Sequence, residues 1–260
     1  MCFKKLFGGG GGEPITFEGD LVALSGVIND YPGTANDLNG CINDQINAEK
    51  TLTGYWNNFI FHKLKNSQVT CSAWDKNLTE ALKQHWDTVL LFMDCCFAED
   101  NTRGFVHDKR ERFVKPAGLK RVKIIRRLGR TAEMKHIAFS ACQDYQTSAD
   151  AYIGGSYNGA FTYFAMKALK PSMTYRDWYL ATKTLLSNSA FEQIPELQGQ
   201  DELLNKKVFS DKTLFVQYSG HGTFTKDLNG DEADGQDEAM YLYDGIFLDD
   251  RLAKVLAAIH

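Results

Sequence analysis

The chain lacks the marks of several protein classes. No apolar run reaches the roughly 20 residues of a membrane span, and the first residues lack the apolar core of a secretory leader, so no membrane partner is expected. Six cysteines in 260 residues do not read as a disulfide framework. None has the paired spacing of a zinc site, and adjacent Cys95 and Cys96 would bridge awkwardly. Reduced thiols and a cytoplasmic location follow as expectations. An excess of positive charge is also missing: Lys and Arg number 29 against 33 Asp and Glu, a net charge of −4, which argues against nucleic acid as a partner. There is no internal repeat and no sign of a second core. Residues 15–260 are therefore expected to form one domain behind a flexible glycine-rich lead at 1–14, with Gly8 to Gly12 consecutive.

What is present is an alternation of buried-strand and helix patterns, which predicts an α/β fold. Asp20–Asn29, Val89–Cys96, His136–Cys142 and Leu214–Gln217 read as strands, and Phe59–Thr70 as a strand region. Helices are expected over Asn43–Leu52, Leu78–His85, Gly159–Leu169 and Tyr175–Leu186. Two strands end in reactive side chains. One closes on Ser219-Gly220-His221-Gly222, with the Gly-His-Gly read as a sharp turn, and the other on Asp94-Cys95-Cys96. A thiol and an imidazole at one rim of a sheet are what a cysteine nucleophile and its base require. A basic run, Lys109 to Arg130, reads as a solvated loop or helix face. A site that cleaves after basic residues would make it a self-cleavage loop instead. The acidic stretch Asp227–Glu238 mimics an EF-hand loop but has Glu232 where glycine is required, so that motif is rejected.

Several segments together resemble the caspase-like cysteine peptidases of the metacaspase and bacterial orthocaspase branch. Ala23–Asn29 is similar to that family's first strand, Asp37–Asp44 to the motif opening its first helix, and Tyr218–Gly222 to its histidine motif. Asp94-Cys95-Cys96 is similar to its nucleophile motif, and Cys142–Asp150 with Gly159–Tyr163 to its small-subunit portion. The resemblance implies a caspase-like three-layer α/β sandwich with a mostly parallel central sheet. It also implies peptide-bond hydrolysis through a thioester, with Cys96 as nucleophile, His221 as base, and the backbone N–H groups of Gly222 and Cys96 as oxyanion donors. Strand alternation would turn Cys95 to the opposite face. Cys41, Asp44, Asp94 and Ser219 match an acidic pocket that takes Arg or Lys, so the expected partners are protein or peptide substrates with a basic residue at the cleaved position. Asp237, Asp249 and Asp250, with Asp100 as a further candidate, match calcium ligands of the family. The solvated-loop reading of these acids stays open beside it. No organic cofactor is expected, and the protein is expected to be a monomer.

Two departures stand out. The family has His-Ser-Gly after its cysteine, where this chain has Phe97-Ala98-Glu99. The histidine-strand segment, roughly Asp211 to His260, follows the small-subunit motifs instead of preceding the nucleophile strand. If the small subunit ends near Val208-Phe209, a linker of a few residues should not carry the chain from an outer strand back into the sheet. The expectation is therefore an intact sheet with a chain discontinuity near residues 209–213. The departures leave open a non-catalytic caspase-like scaffold or regulator. An enzyme of the same fold preferring acidic residues is a further alternative, against which the pocket carboxylates argue.

Overall fold

Seven-residue runs with no charged residue before their last position dictate the centre of the molecule. In the computed structural model, which describes residues 17–96, 110–119, 134–143, 146–227, 230, 235–257 and 259, they form strands β1 (Leu21–Val27), β3 (Thr88–Asp94) and β9 (Thr213–Ser219), buried at every position. The other elements are, in chain order, α1 (Cys41–Tyr55), β2 (Ile60–Lys65), α2 (Cys71–Ala81), β4 (Arg110–Glu111), β5 (Ile137–Ser140), β6 (Ala149–Ile153) and β7 (Ser156–Gly159). Then come α3 (Ala160–Ala168), α4 (Tyr175–Ser187), β8 (Glu196–Gln198), α5 (Asp201–Leu204), β10 (His221–Lys226), β11 (Gln236–Leu242), β12 (Gly245–Leu248) and α6 (Asp249–Leu256). The central sheet has the order β2-β1-β9-β3-β5-β8, parallel except for β8. Strands covered on both faces need apolar residues on both, which is why their sequences run apolar instead of alternating.

The period of two divides those residues between two cores. Val22, Leu24, Val89, Leu91, Leu214 and Val216 pack with Trp74 and Leu78 of α2 and with Val255 of α6. Leu21, Ala23, Leu90, Phe92 and Phe215 pack on the other face with Leu52 of α1, Phe161 of α3 and Trp178 of α4. The result is the expected three-layer α/β sandwich. Two three-stranded sheets, β10-β11-β12 and β4-β6-β7, stand outside the central sheet. Their strands mostly pair antiparallel.

Several boundaries differ from those expected. Helix α2 begins at Cys71, not Leu78, because the Thr70 side chain accepts the Ala73 N–H as an N-cap. His221 does not sit in a turn but opens β10, directly after Gly220. The small subunit's last strand is β8, not Val208-Phe209, and it runs antiparallel to β5. That direction removes the need for a break. An antiparallel edge strand leaves the chain at the end of the sheet where the parallel strands begin, and residues 199–212 then pass under β5 and β3 to start β9. Three strand spacings amount to roughly 14 Å, well within that reach. The crossing is pinned on the way: Lys206 Nζ donates to the Asp87 carbonyl (3.0 Å), Asp87 N–H to Lys212 (2.8 Å) and Thr213 N–H to Asp20 (2.7 Å). The glycine-rich lead lies outside the described residues.

Candidate active site

The carboxyl ends of β3 and β9 lie side by side, with Asp94 in register with Ser219. The residues that follow them, Cys95-Cys96 and Gly220-His221-Gly222, therefore meet at one rim of the sheet. Their backbones touch. A Cβ on Gly222 would overlap the Cys96 carbonyl group, so only glycine fits there. Cys95 and Cys96 part company as expected of neighbours on an extended chain. Cys95 joins the apolar core of the α2 face, while Cys96 faces Ser148, whose N–H donates to its Sγ.

His221 is buried. Its Nε2 lies 2.6 Å from the Asn36 carbonyl oxygen, which can only accept, so that nitrogen carries the proton. Nδ1 is then the basic lone pair, and it has no hydrogen-bond partner. Burial lowers the imidazole to about 4, opposed by the Asn36 bond, which favours the charged form. His221 and Cys96 are brought to one rim, but the Cys96 thiol is turned toward Ser148 and no hydrogen bond joins the two side chains.

Between them runs a segment that the basic run contributes. Arg112 is completely buried, so the solvated-loop reading fails at this residue; residues 120–130 of the run lie outside the described residues. The Arg112 carbonyl oxygen accepts two N–H groups, from Cys96 (3.1 Å) and Gly222 (3.0 Å). These are the two donors expected to form an oxyanion hole, and both are aimed at one carbonyl. Arg112 N–H in turn donates to the Ser148 carbonyl at 3.0 Å.

The guanidinium lies among carboxylates. Nη2 donates to Asp44 Oδ2 (2.7 Å) and Asp150 Oδ1 (3.2 Å), and Nη1 to Ser219 Oγ (2.6 Å), with Asp94 Oδ2 at 3.2 Å. Ser219 Oγ passes its own hydrogen to Asp44 Oδ2 at 2.6 Å. Each acid has further donors: Gly159 N–H for Asp44, Asn39 N–H for Asp150, and the Ser148 and Thr162 hydroxyls for Asp94. Cys41 is buried beside Ser219, and burial pushes its thiol up despite the nearby Arg112. The expected pocket residues Cys41, Asp44, Asp94 and Ser219 thus surround one cation. Asp150 was missed as a pocket residue, although it closes the Cys142–Asp150 motif. Ser148, Asn36 and the Tyr31 hydroxyl, which accepts the His221 N–H at 2.8 Å, were missed as well. Ser148 lies in the same Cys142–Asp150 motif as Asp150, whereas Tyr31 and Asn36 come from the loop after β1.

The described acids expected to hold calcium lie where the paired strands β11 and β12 meet the start of α6. Asp237 lies in β11, while Asp249 and Asp250 open α6. Among the described residues no three His, Cys, Asp or Glu side chains gather as a metal site. Asp100 and Phe97-Ala98-Glu99 lie outside the described residues.

Burial raises the Asp44 carboxyl to about 7 even with Arg112 beside it lowering it. A raised carboxyl contributes stability that is complete below its unfolded value near 3.8 and is lost as pH rises through 7. Removing Arg112 removes the opposing charge and raises that carboxyl further. Arg112→Ala is therefore expected to lose more stability at pH 8 than at pH 5.5 when urea unfolding is followed at both. An equal loss at the two pH values would contradict the ionised pair.

The caspase-domain family model matches residues 54–209 of the chain. Among curated proteins, Metacaspase-1 of Ajellomyces capsulatus is 48% identical over 48 residues, 17% of this chain and 14% of the relative. Metacaspase-1 of Schizosaccharomyces pombe is 49% identical over 47 residues, 16% of this chain and 11% of the relative. These matches span only a small part of either relative's length. A crystal structure of a protein from Geobacter sulfurreducens superposes with a TM-score of 0.48 at 16% identity, covering 74% of this chain and 99% of that one. With more than half its length matched by the family model, the chain belongs to the caspase-domain family.

Proposed function

We propose that the protein is a cysteine endopeptidase that cleaves after Arg or Lys, with Cys96 as nucleophile and His221 as base. The observation that carries this reading is Arg112, whose side chain fills an acidic pocket while its carbonyl oxygen takes two converging N–H groups. That is how a substrate carbonyl must sit if those donors are to stabilise the oxyanion of its tetrahedral intermediate. All guanidinium contacts are made by the two terminal nitrogens, and Nε has no partner, so a lysine ammonium reaching the same depth meets the same acceptors.

In the proposed reaction, rotation about the Cys96 Cα–Cβ bond swings the sulfur from Ser148 toward the scissile carbonyl. His221 Nδ1 takes the thiol proton, and the sulfur forms a bond to the carbonyl carbon. The C–N bond then breaks as the proton passes from His221 to the leaving amine. Water, deprotonated by His221, attacks the thioester and releases a carboxylate and the free thiol. Because the chain's own Arg112 lies in the pocket, the Arg112–Phe113 bond is the first substrate presented, and its cleavage would free the site for others. Protein or peptide substrates with a basic residue at the cleaved position are the proposed partners, and the five cysteines among the described residues, none in a disulfide, accord with a reducing, cytoplasmic setting. Among the described residues, no helix is long and apolar enough to cross a membrane.

Cys96→Ala is expected to abolish hydrolysis of fluorogenic Arg peptides and to leave the Arg112–Phe113 bond intact, while Cys95→Ala keeps most activity. Labelling of Cys95 in place of Cys96 by an alkylating Arg peptide would reverse the assignment. Asp44→Ala should cost about 2–5 kcal/mol of transition-state binding, a fall of roughly 30-fold or more in kcat/KM for Arg peptides. Undiminished cleavage would place the specificity pocket elsewhere.

Calcium stimulation is proposed through Asp237, Asp249, Asp250 and Asp100 on the family resemblance alone, and no chemical step runs through the ion. Titrating calcium into chelator-treated protein is expected to raise the rate. A flat response to millimolar levels would contradict the calcium assignment.

A further inference from the structure

The segment carrying Arg112 is held on both sides of the carbonyl that meets the oxyanion donors. Before it, Arg110 and Glu111 pair antiparallel with Asp150 and Ala149 of β6. After it, Phe113 forms a parallel bridge with Gly222, Val114 N–H donates to the Gly222 carbonyl (2.9 Å), and Thr223 Oγ1 donates to the Val114 carbonyl (2.7 Å). The Phe113 ring stacks on Phe224, with centroids 6.0 Å apart and planes 16° from parallel. Among the described residues, strand β10 is the outer strand of its sheet, paired with β11 on one side. Its other edge is where Phe113 and Val114 lie.

We propose that the outer edge of β10 is a binding site for the leaving-group side of the substrate. It selects an aromatic residue directly after the cleaved bond and requires a free N–H on the residue after that. This inference rests on the peptidase reading and extends it from the basic residue to the two that follow. The physics is that of strand addition. An edge strand presents unpaired N–H and C=O groups, so an extended chain gains backbone bonds whatever its sequence, and side chains at fixed positions then discriminate. Phe224, itself buried, supplies a flat apolar face on the same side of β10 as Gly222, two residues along. An aromatic ring set there gains an aromatic pair as well as burial, whereas a carboxylate would be stripped of water without a partner. Proline at the second position lacks the hydrogen that Val114 gives to Gly222. The substrate would thus lie as one strand joining two small sheets, β6 holding it before the cleaved bond and β10 after it.

The test uses internally quenched peptides that share an arginine and differ after it. Arg-Phe-Val is expected to be cleaved roughly 2- to 12-fold faster in kcat/KM than Arg-Ala-Val, the order of one aromatic pair. Arg-Phe-Pro should be slower than Arg-Phe-Val by roughly 2- to 10-fold. Cleavage of all three at one rate overturns the β10 site and leaves the arginine specificity standing. Cleavage of none overturns the peptidase reading, and a second measurement then decides the β10 site by itself. In full-length Cys96→Ala protein, added trypsin cuts after Arg112, followed by mass spectrometry of that one bond. Phe113→Ala and Phe224→Ala should each speed the cut severalfold if the ring pair holds the segment down. Unchanged rates in both variants overturn the site.

Discussion

One buried cation among three buried carboxylates holds this site together. Taking charges out of water costs several kcal/mol each, and their attraction offsets that cost only where geometry and hydrogen bonding are nearly complete. Here Arg112 reaches Asp44, Asp94 and Asp150, which come from the first helix, the end of β3 and β6. Each acid also accepts backbone or hydroxyl hydrogens, so none depends on the arginine alone. The guanidinium therefore ties together parts of the chain far apart in sequence. Burial strips the Asp44 carboxyl of water and raises it above the ordinary carboxylate range, with Arg112 opposing the rise and the neighbouring Asp94 adding to it.

Small residues make that cluster possible. Gly159 N–H bonds to Asp44, and a side chain at this position would run into the Asp94 carboxylate and the Arg112 guanidinium. Gly222 lets β10 close directly onto the Cys96 backbone. Two close approaches, one beside the charge and one beside the carbonyl, set the depth and the register of the docked segment together. Side-chain recognition and carbonyl placement are thus one geometric fact.

The route of the chain into β9 shows how direction within a sheet matters more than linker length. A parallel strand at position β8 would have left the chain at the wrong end, and the crossing to β9 would have needed a long connection. An antiparallel one delivers it to the right end. A late segment can then lie between β1 and β3, next to the strand that carries Cys96, without disturbing either neighbour.

The sequence by itself determined the parallel sheet, the two helical layers and the pairing of a cysteine-ended strand with a histidine-ended one. Those features are local: apolar runs, their periods and the residues that end them lie within a few positions of one another. Asp44, Asp94 and Ser219 were legible as candidate pocket residues through the family resemblance, because the short motifs that carry them match the family's. Only the tertiary structure decided that Asp150 joins them and that β8 reverses direction. It alone also decided that Arg112 is withdrawn from water while Arg110 and Lys115, the other basic residues of the Lys109–Arg130 run among those described, stay exposed. Nothing near Arg112 in sequence distinguishes it from Arg110. The difference comes from three acids and two N–H donors that converge on it from elsewhere in the fold, and convergence of that kind has no local signature.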